Sequence, residues 1–205
     1  MSDLGIMHYF LGIEVVQSDA GIFVSQKKYA QEILDRFDMK NCNSTTTLVE
    51  TGLKLVKNPA GKGVDSTLYK QMVGSLMYLT ATRPNLMYVV SLISRYMEQP
   101  KDIHLLAAKR ILRYLRGTTE LGLLYKKGEQ SCLIGFIDSD YARDLDDRKS
   151  TSGYVFMLGF AVVSWSSKKQ SLVTLSTTEP EFVAAASCAC QALWLRKILK
   201  EMHFE

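Results

Sequence analysis

The spacing of apolar and polar residues predicts a β-rich start to the chain. Residues 7–16 and 22–25 are rich in β-branched and aromatic side chains, and the turn-forming run 18–21 separates them. This pattern is typical of a β-hairpin. Residues 26–39 change to helical spacing, whereas residues 40–63 have little periodicity. We therefore expect a helix and then a long, partly mobile connection.

Three helices are predicted next. Asp65 is a suitable N-cap for the first, and Pro84 and Pro100 suit the starts of the second and third. Gly117 is a suitable end for the third helix. Their apolar positions are Leu68, Met72, Val73, Leu76 and Leu79; Met87, Val90, Ile93 and Met97; and Leu105, Ala108, Leu112 and Leu115.

The pattern changes after Gly122. Residues 123–125 and 132–138 are predicted strands on either side of a turn at 126–130, and residues 154–158 and 161–165 are two more strands. Val173 and Leu175 could extend this meander. A helix from about Glu179 to Met202 is expected to turn five residues inward: Phe182, Ala186, Ala189, Leu193 and Trp194. Strands followed by a helix indicate an α+β class, with an α/β module that starts near residue 131.

Carboxylates at two places in this module are candidate chemistry. Asp138 and Asp140 are spaced i and i+2 at the end of an apolar strand, so both face one side of the sheet. Glu181 lies in the first turn of the last helix. Oxygen donors of this kind suit Mg²⁺. The alternatives are that the aspartates cap a turn and that Glu181 completes a capping box with Thr178.

Basic residues are concentrated upstream of these carboxylates. Residues 1–130 contain 17 Lys and Arg against 12 Asp and Glu, whereas residues 131–205 contain 8 against 9. Lys109, Arg113 and Arg116 form a stripe on the third helix that can follow a phosphate backbone. Lys168 and Lys169, beside Trp165, are also nucleic-acid candidates. The alternatives are a solvated helix face for the stripe and edge-strand lysines that prevent aggregation.

Other residue patterns narrow the class of protein. The four cysteines form no CxxC pair and indicate free thiols in a reducing compartment. No signal peptide and no apolar run long enough for a bilayer is recognised, so a cytoplasmic or nuclear location with no membrane partner is expected. GxSxG, GxxxxGK[ST] and GxGxxG motifs are absent. The three histidines are isolated and are expected on the surface or in packing.

A series of motifs resembles one family over nearly the whole chain. The matching blocks are His8–Glu14, Ser25–Tyr29, Val73–Thr80, Thr82–Pro84, Lys109–Thr118, Asp138–Ala142, Asp147–Tyr154, Ser164–Gln170 and Ser176–Glu179. In this order they resemble the C-terminal part of a copia-type LTR-retrotransposon Pol polyprotein, from the end of reverse transcriptase into RNase H.

The resemblance implies roles for the segments. Residues 1–128 would be the end of reverse transcriptase, with the palm hairpin at 7–25 and the helical thumb and connection at 26–128. Residues 131–205 would be the N-terminal half of an RNase H-like domain. The implied partners are an RNA–DNA hybrid or a template–primer duplex, and the rest of the Pol polyprotein. Asp138 and Glu181 match the family's Mg²⁺-binding catalytic carboxylates, and RNA hydrolysis in hybrids is the implied reaction.

The chain also departs from the family pattern. The Tyr-x-Asp-Asp carboxylates of the polymerase and a third RNase H aspartate are missing from it, and Asn85, Arg143 and Pro180 replace the usual Asp, Gly and Ala. No polymerase activity and negligible RNase H activity are therefore expected from the chain alone, together with marginal stability or self-association. The competing predictions are a non-catalytic nucleic-acid-binding protein, a co-opted, effector-like interaction protein and a decayed remnant.

Overall fold

The structure, a computed structural model, describes residues 6–57, 60–128 and 132–203. Two compact units divide the chain, Met1–Glu129 and Gln130–Glu205, called unit 1 and unit 2 below. Helices and antiparallel sheets occur together, which confirms the predicted α+β class. The roles of the units as palm, thumb and RNase H-like modules stay predictions.

Unit 1 contains four strands and four α-helices among its described residues. They are β1 (Tyr9–Phe10), β2 (Ile13–Ser18), β3 (Gly21–Ser25), α1 (Lys27–Arg36), α2 (Ser66–Leu79), a 3₁₀ turn (Pro84–Leu86), α3 (Met87–Ser94), α4 (Asp102–Gly117) and β4 (Leu123–Lys126).

The predicted strand over 7–16 is in fact two strands. β1 pairs with β2 across Leu11 and Gly12, which both have positive φ, at 48° and 75°. Two such residues make the type I′ turn that suits a two-residue hairpin loop. The Tyr78 hydroxyl donates a hydrogen bond to the Leu11 carbonyl and so fixes the turn. The hairpin predicted around 18–21 is also present, since β2 pairs with β3.

The predicted strand at 123–125 is present as β4 and pairs with the N-terminal hairpin. β4 pairs antiparallel with β3, Tyr125 opposite Ile22, and completes a sheet of order β1-β2-β3-β4. The region at 26–128, predicted as helical, therefore also contributes a strand. Gly21 enables the pairing, because a Cβ there would lie 2.1 Å from the Tyr125 carbonyl oxygen.

The helices of unit 1 form its apolar core, and most of the apolar positions predicted for them are buried. The fully buried ones are Met72, Val73, Leu76, Leu79, Val90, Ile93, Ala108, Leu112 and Leu115. Leu68 is an exception, since it is 39% exposed. Asp65 caps α2, as predicted, by accepting a hydrogen bond from the Thr67 amide at 2.8 Å.

Residues 40–57, called the strap, are fixed to the helices at both ends. Arg116 and Arg113 donate to the carbonyls of Lys40 and Asn43 at 2.7 and 2.8 Å. At the other end the hydroxyl of Tyr96 donates to the Leu55 carbonyl at 2.9 Å. The strap is therefore anchored at both ends, while the partial mobility of the connection stays a prediction.

Unit 2 is a three-stranded antiparallel sheet with one long helix, as predicted. Its elements are β5 (Leu133–Ser139), β6 (Thr151–Leu158), β7 (Ala161–Lys169) and α5 (Glu179–Glu201), and the strand order is β5-β6-β7. Gly135 of β5 lies against the Phe156 ring, where a Cβ would approach a ring carbon to 2.6 Å. Val173 and Leu175 lie outside the strands, so the predicted extension of the meander is wrong.

The inward face predicted for α5 is wrong. Phe182, Leu193 and Trp194 are 70%, 51% and 54% exposed, and Ala186 and Ala189 are exposed too. The opposite face contacts the sheet: Ala184 is buried and Gln191 donates to the Ser164 hydroxyl at 3.2 Å. The helix has two apolar stripes, and the sequence pattern selected the outer one.

Length and composition alone would let α5 cross a bilayer, contrary to the prediction that no apolar run is long enough. Such a criterion is also met by core helices of soluble proteins. The contacts of α5 with β5 and β6 identify it as a helix packed on a sheet.

Candidate functional site

Asp138 lies near the end of β5 with an exposed side chain. It is paired in register with Gly153 of β6, which has no side chain to cover it. Strand alternation places Asp138 on the face of Phe136, opposite the face of Phe156 that α5 covers. The carboxylate is therefore open to solvent at one end of the sheet.

Asp140 has a structural role immediately beyond β5. Its carboxylate accepts a hydrogen bond from the Thr151 amide at 2.7 Å, and its own amide donates to the Thr151 carbonyl at 3.0 Å. This extends the pairing of β5 and β6 by one residue. The turn-forming alternative thus describes the contacts that Asp140 makes, while its metal role stays a prediction.

Gln170 ties the first turn of α5 to the Asp138 end of the sheet. Its side-chain nitrogen donates to the Ser152 hydroxyl at 2.7 Å and to the Pro180 carbonyl at 3.0 Å. Ser152 is opposite Ser139 in register, one residue from Asp138. Glu181, next to Pro180, therefore starts its helix at the strand end that carries Asp138. Nothing in the local sequence of Gln170 signals this role.

The start of α5 is capped by residues other than the predicted pair. Thr178 makes no side-chain cap bond. The Ser176 hydroxyl instead accepts from the Glu179 amide at 3.4 Å, while the Glu179 carboxylate accepts from the Leu175 amide at 2.8 Å. Since Ser176-Thr177-Thr178-Glu179 is also Ser-x-x-Glu, the signal was present two residues upstream. Glu181 stays exposed and outside the cap.

A partly buried ion cluster, which the sequence analysis missed, fixes the loop between β5 and β6. The Lys169 ammonium contacts Asp144 at 3.0 Å and Asp147 at 2.8 Å. Burial raises the pKa of Asp144, but the bonds from Lys169 and from the amides of Asp146 and Asp147 outweigh it and lower that pKa to about 2. Burial likewise lowers the pKa of Lys169, yet its carboxylate partners leave it raised.

The candidate cations for nucleic acid have different surroundings. Lys169 is held in the ion cluster, and Arg113 and Arg116 each hold the strap through Nε. Lys109 and Lys168 are exposed. Of the two lysines on β7, Lys168 therefore faces solvent and Lys169 has a structural role. Of the three cations on α4, Lys109 faces solvent, while the two arginines anchor the strap.

A cleft of about 390 Å³ adjoins the amino-terminal end of the strap, where Arg116 binds the Lys40 carbonyl. It is lined by Gln31, Leu34, Asp35, Lys40, Arg116 and Thr119. Lys40 forms an ion pair with Asp35 at 3.2 Å, so the cations there are partly compensated.

Motif residues at 82–85 are structural. Arg83 is 3% exposed and donates to the carbonyl and the hydroxyl of Thr118, both at 2.9 Å. Burial lowers its pKa, and Tyr114 opposes this effect. Thr82 donates to the Gln26 side chain at 2.9 Å. These residues join the chain before α1 to the end of α4.

The carboxylates fit Mg²⁺ in chemical type but not in number. Asp138 and Glu181 offer oxygen donors, which a hard cation prefers. Across residues 6–57, 60–128 and 132–203, no group of three or more His, Cys, Asp and Glu side chains lies close enough together to hold a metal. We therefore derive no catalytic step through a metal ion.

Comparison with known proteins identifies the family. A reverse transcriptase (RNA-dependent DNA polymerase) family model matches residues 1–51. The Arabidopsis thaliana retrovirus-related Pol polyprotein from transposon RE2 is 42% identical over 199 residues, which are 97% of this chain and 14% of the relative. The chain belongs to the copia-type retrotransposon Pol family.

Two shorter relatives align over most of their own lengths. The uncharacterized mitochondrial protein AtMg00810 of Arabidopsis thaliana is 38% identical over 95% of this chain and 80% of the relative. Secreted RxLR effector protein 161 of Plasmopara viticola is 43% identical over 62% of this chain and 90% of the relative. No solved structure matches the chain significantly.

Proposed function

We propose that this chain handles RNA–DNA hybrid as a part of a retrotransposon Pol polyprotein. Unit 1 holds the duplex, and unit 2 contributes Asp138 and Glu181 to an RNase H-type magnesium site. By itself the chain hydrolyses RNA negligibly. The observation that carries the proposal is the tie from Gln170 to Ser152 and Pro180, which starts the Glu181 helix at the end of the sheet where Asp138 lies. Asp138 projects there from the face that α5 leaves uncovered, so the two carboxylates share an end of the sheet and not a face.

The exposed carboxylates support a metal-binding role in this proposal. Within the described residues, neither Asp138 nor Glu181 makes a hydrogen bond or an ion pair, whereas the Asp140 carboxylate binds the Thr151 amide and the Glu179 carboxylate binds the Leu175 amide. Bound Mg²⁺ would supply Lewis-acid activation of a phosphodiester. Two carboxylates are fewer than a two-ion site uses, so hydrolysis needs further metal-binding groups in addition to Asp138 and Glu181.

Exposed lysines support duplex binding. Lys109 on α4 and Lys168 on β7 have solvent-facing ammonium groups, and the positive excess of unit 1 favours a polyanion. Arg113 and Arg116 use Nε on the strap, and each guanidinium has further N–H donors that can contact phosphate. Selection of the hybrid would depend on its A-like groove and 2′-hydroxyls.

The cleavage experiment uses the purified chain with a labelled RNA–DNA hybrid and Mg²⁺ or Mn²⁺. Asp138→Asn and Glu181→Gln are compared with Asp19→Asn, an exposed aspartate in the β2–β3 turn. We expect no cleavage above background by any variant. Cleavage by the parent chain that both site variants lose would show that two carboxylates suffice and would overturn the predicted inactivity.

The binding experiment measures hybrid affinity against salt concentration. Lys109→Ala and Lys168→Ala together should weaken binding and reduce the salt slope by about 1 to 2 phosphate equivalents. Lys70→Ala, an exposed lysine on α2, is the matched control. Equal slopes for all three chains, or no hybrid binding by a folded parent chain, would contradict duplex handling.

A second candidate is a non-catalytic interaction protein. The relative named as a secreted RxLR effector supports it, because this chain aligns with 90% of that protein. Salt-sensitive hybrid binding that survives Asp138→Asn, without cleavage, would favour a binding module. A folded chain without hybrid affinity would favour a co-opted interaction, and a chain that neither binds nor folds would favour a remnant.

A further inference from the structure

The outer stripe of α5 consists of Phe182, Ala186, Ala189 and Leu193. These residues recur at intervals of four, three and four, so they lie along one side of the helix. Ala184 is buried on the opposite side, against the sheet. The outer stripe is thus a second apolar surface on a helix that already has one packed face. A helix that is apolar on both sides is normally covered on both.

The order of side chains in the outer stripe is symmetric. A large residue, two small residues and a large residue are placed evenly about a midpoint between Ser187 and Cys188. A second copy of α5 that runs antiparallel would therefore set Ala186 opposite the second copy's Ala189, and Phe182 opposite its Leu193. The alanines allow the two backbones to approach closely, and the large side chains close the ends. A surface that matches itself in this way suits a two-fold dimer.

The charges on the same side of α5 are complementary to those of an antiparallel copy. Glu179 lies at the amino end of the outer stripe, and Lys197 and Lys200 extend it at the carboxyl end. Antiparallel pairing brings the acidic end of each helix to the basic end of the other. Parallel pairing would instead align like charges. The charge pattern therefore selects the same orientation as the side-chain sizes, and it is an independent observation.

We propose that the outer stripe is a homodimer interface, in which two copies of α5 pack antiparallel about a two-fold axis that passes between Ala186 and Ala189 of the stripe. This inference is independent of hybrid binding and of the metal site. A lipid surface is a poorer match, because Glu179 has no counterpart on an anionic membrane while the second copy offers Lys197 and Lys200. The interface also explains why the exposed side chains of Phe182 and Leu193 lie on the same side of α5 as two alanines.

Sedimentation velocity of the full chain at low and high micromolar concentration tests the dimer. The parent chain should change from monomer to dimer over this range. Ala189→Glu places two carboxylates beside the axis, and we expect the dissociation constant to rise at least about 100-fold. Ser187→Glu is the matched control: it adds the same charge to the same turn at another exposed position, outside the outer stripe, and should weaken the dimer far less.

A second variant keeps the test valid if Ala189→Glu fails to fold. Lys197→Glu with Lys200→Glu leaves the apolar residues intact and replaces attraction with repulsion, so the dimer should weaken about 10-fold and lose its favourable dependence on low salt. A parent chain that remains monomeric throughout, or a dimer that Ala189→Glu and the charge reversal leave unchanged, overturns the proposal. Flotation of a monomeric parent chain with vesicles of phosphatidylcholine and anionic phosphatidylserine would overturn it in favour of lipid.

Discussion

The two units bury different kinds of side chain. Unit 1 has a continuous apolar cluster that includes Tyr69, Leu76 and Leu112. In unit 2 the fully buried hydrophobic residues described are Phe156 and Ala184, whereas Asp144, Ser150 and Gln170 are buried polar residues. The core of unit 1 is built by apolar burial, and that of unit 2 by strand pairing and polar contacts.

This difference indicates which unit is stabilised mainly by its own buried contacts. Burial of an aliphatic side chain contributes about 1.5–3 kcal/mol, so the many buried residues of unit 1 supply a large part of its stability. Both units expose large apolar side chains, for example Phe10 in unit 1 and Phe182 in unit 2, but unit 2 has few buried apolar residues beside them. Large exposed apolar side chains that form a patch are typical of an interaction surface. We infer that unit 1 is folded by its own contacts and that unit 2 gains more from a partner.

Truncation of the unit 1 core should have the largest effect. Leu112→Ala should lower the free energy of unfolding by about 2–5 kcal/mol, because Leu112 is fully buried and a cavity would remain. Leu106→Ala on the same helix is the control, since Leu106 is 66% exposed. Denaturant unfolding followed by circular dichroism measures both. Equal losses would mean that the burial of unit 1 does not determine its stability.

Removal of the ion cluster should have the next largest effect, and in unit 2. Asp144→Asn should cost about 2 kcal/mol at neutral pH, because the pKa of Asp144 is lowered from 3.8 to about 2 in the folded state. The contribution is complete above pH 3.8 and is lost as pH falls through about 2. Both tryptophans lie in unit 2, so fluorescence reports its unfolding. Parent and variant should therefore converge in acid; a constant difference would contradict the assignment to ionised Asp144.

Replacement of His104 should have a smaller effect, and it tests the polar contacts within unit 1. Its Nδ1 accepts from the Lys101 amide at 3.0 Å, its Nε2 lies 2.9 Å from the Val56 carbonyl, and its ring stacks on Tyr96. His104→Phe keeps the stacking and loses both bonds, which should cost about 1–2 kcal/mol. Hydrogen exchange near Val56 should accelerate. Unchanged exchange there would show that Tyr96 alone holds that end of the strap.

The smallest expected effect separates the two glutamates at the start of α5. Glu179→Gln weakens the cap and should cost about 0.5–1 kcal/mol, whereas Glu181→Gln should change stability by less than about 0.5 kcal/mol. Thermal unfolding by tryptophan fluorescence compares them. If Glu181→Gln lost more stability than Glu179→Gln, Glu181 would be the capping residue that pairs with Thr178. It would then not be free to bind a metal.

Helical spacing and motif order made much of the fold predictable. The apolar positions of α2, α3 and α4 have one period and one buried face, so their packing followed from the sequence. The α5 helix has two apolar stripes, and periodicity alone does not say which one meets the sheet. Residues 123–126 have strand-forming side chains, but pairing with β3 is a long-range contact that local patterns do not specify.

The candidate site was predictable in residue type more than in contacts. Asp138 and Glu181 were found from their positions in a strand and a helix, and both are exposed. Gln170, Asp144 and Lys169 were missed because their partners lie on other elements. Two Ser/Thr-x-x-Glu matches overlap at residues 176–181, and only the surrounding backbone decides between them.

The pairing of β4 with β3 has a consequence for how the protein is made. Tyr125 aligns with Ile22, which the ribosome delivers about 100 residues earlier. Until Lys126 has left the exit tunnel, the outer edge of β3 has no permanent neighbour and can pair with other nascent chains. Contacts this distant along the chain also form slowly. Unit 1 therefore completes its sheet late in synthesis, after the helices between these strands have been translated.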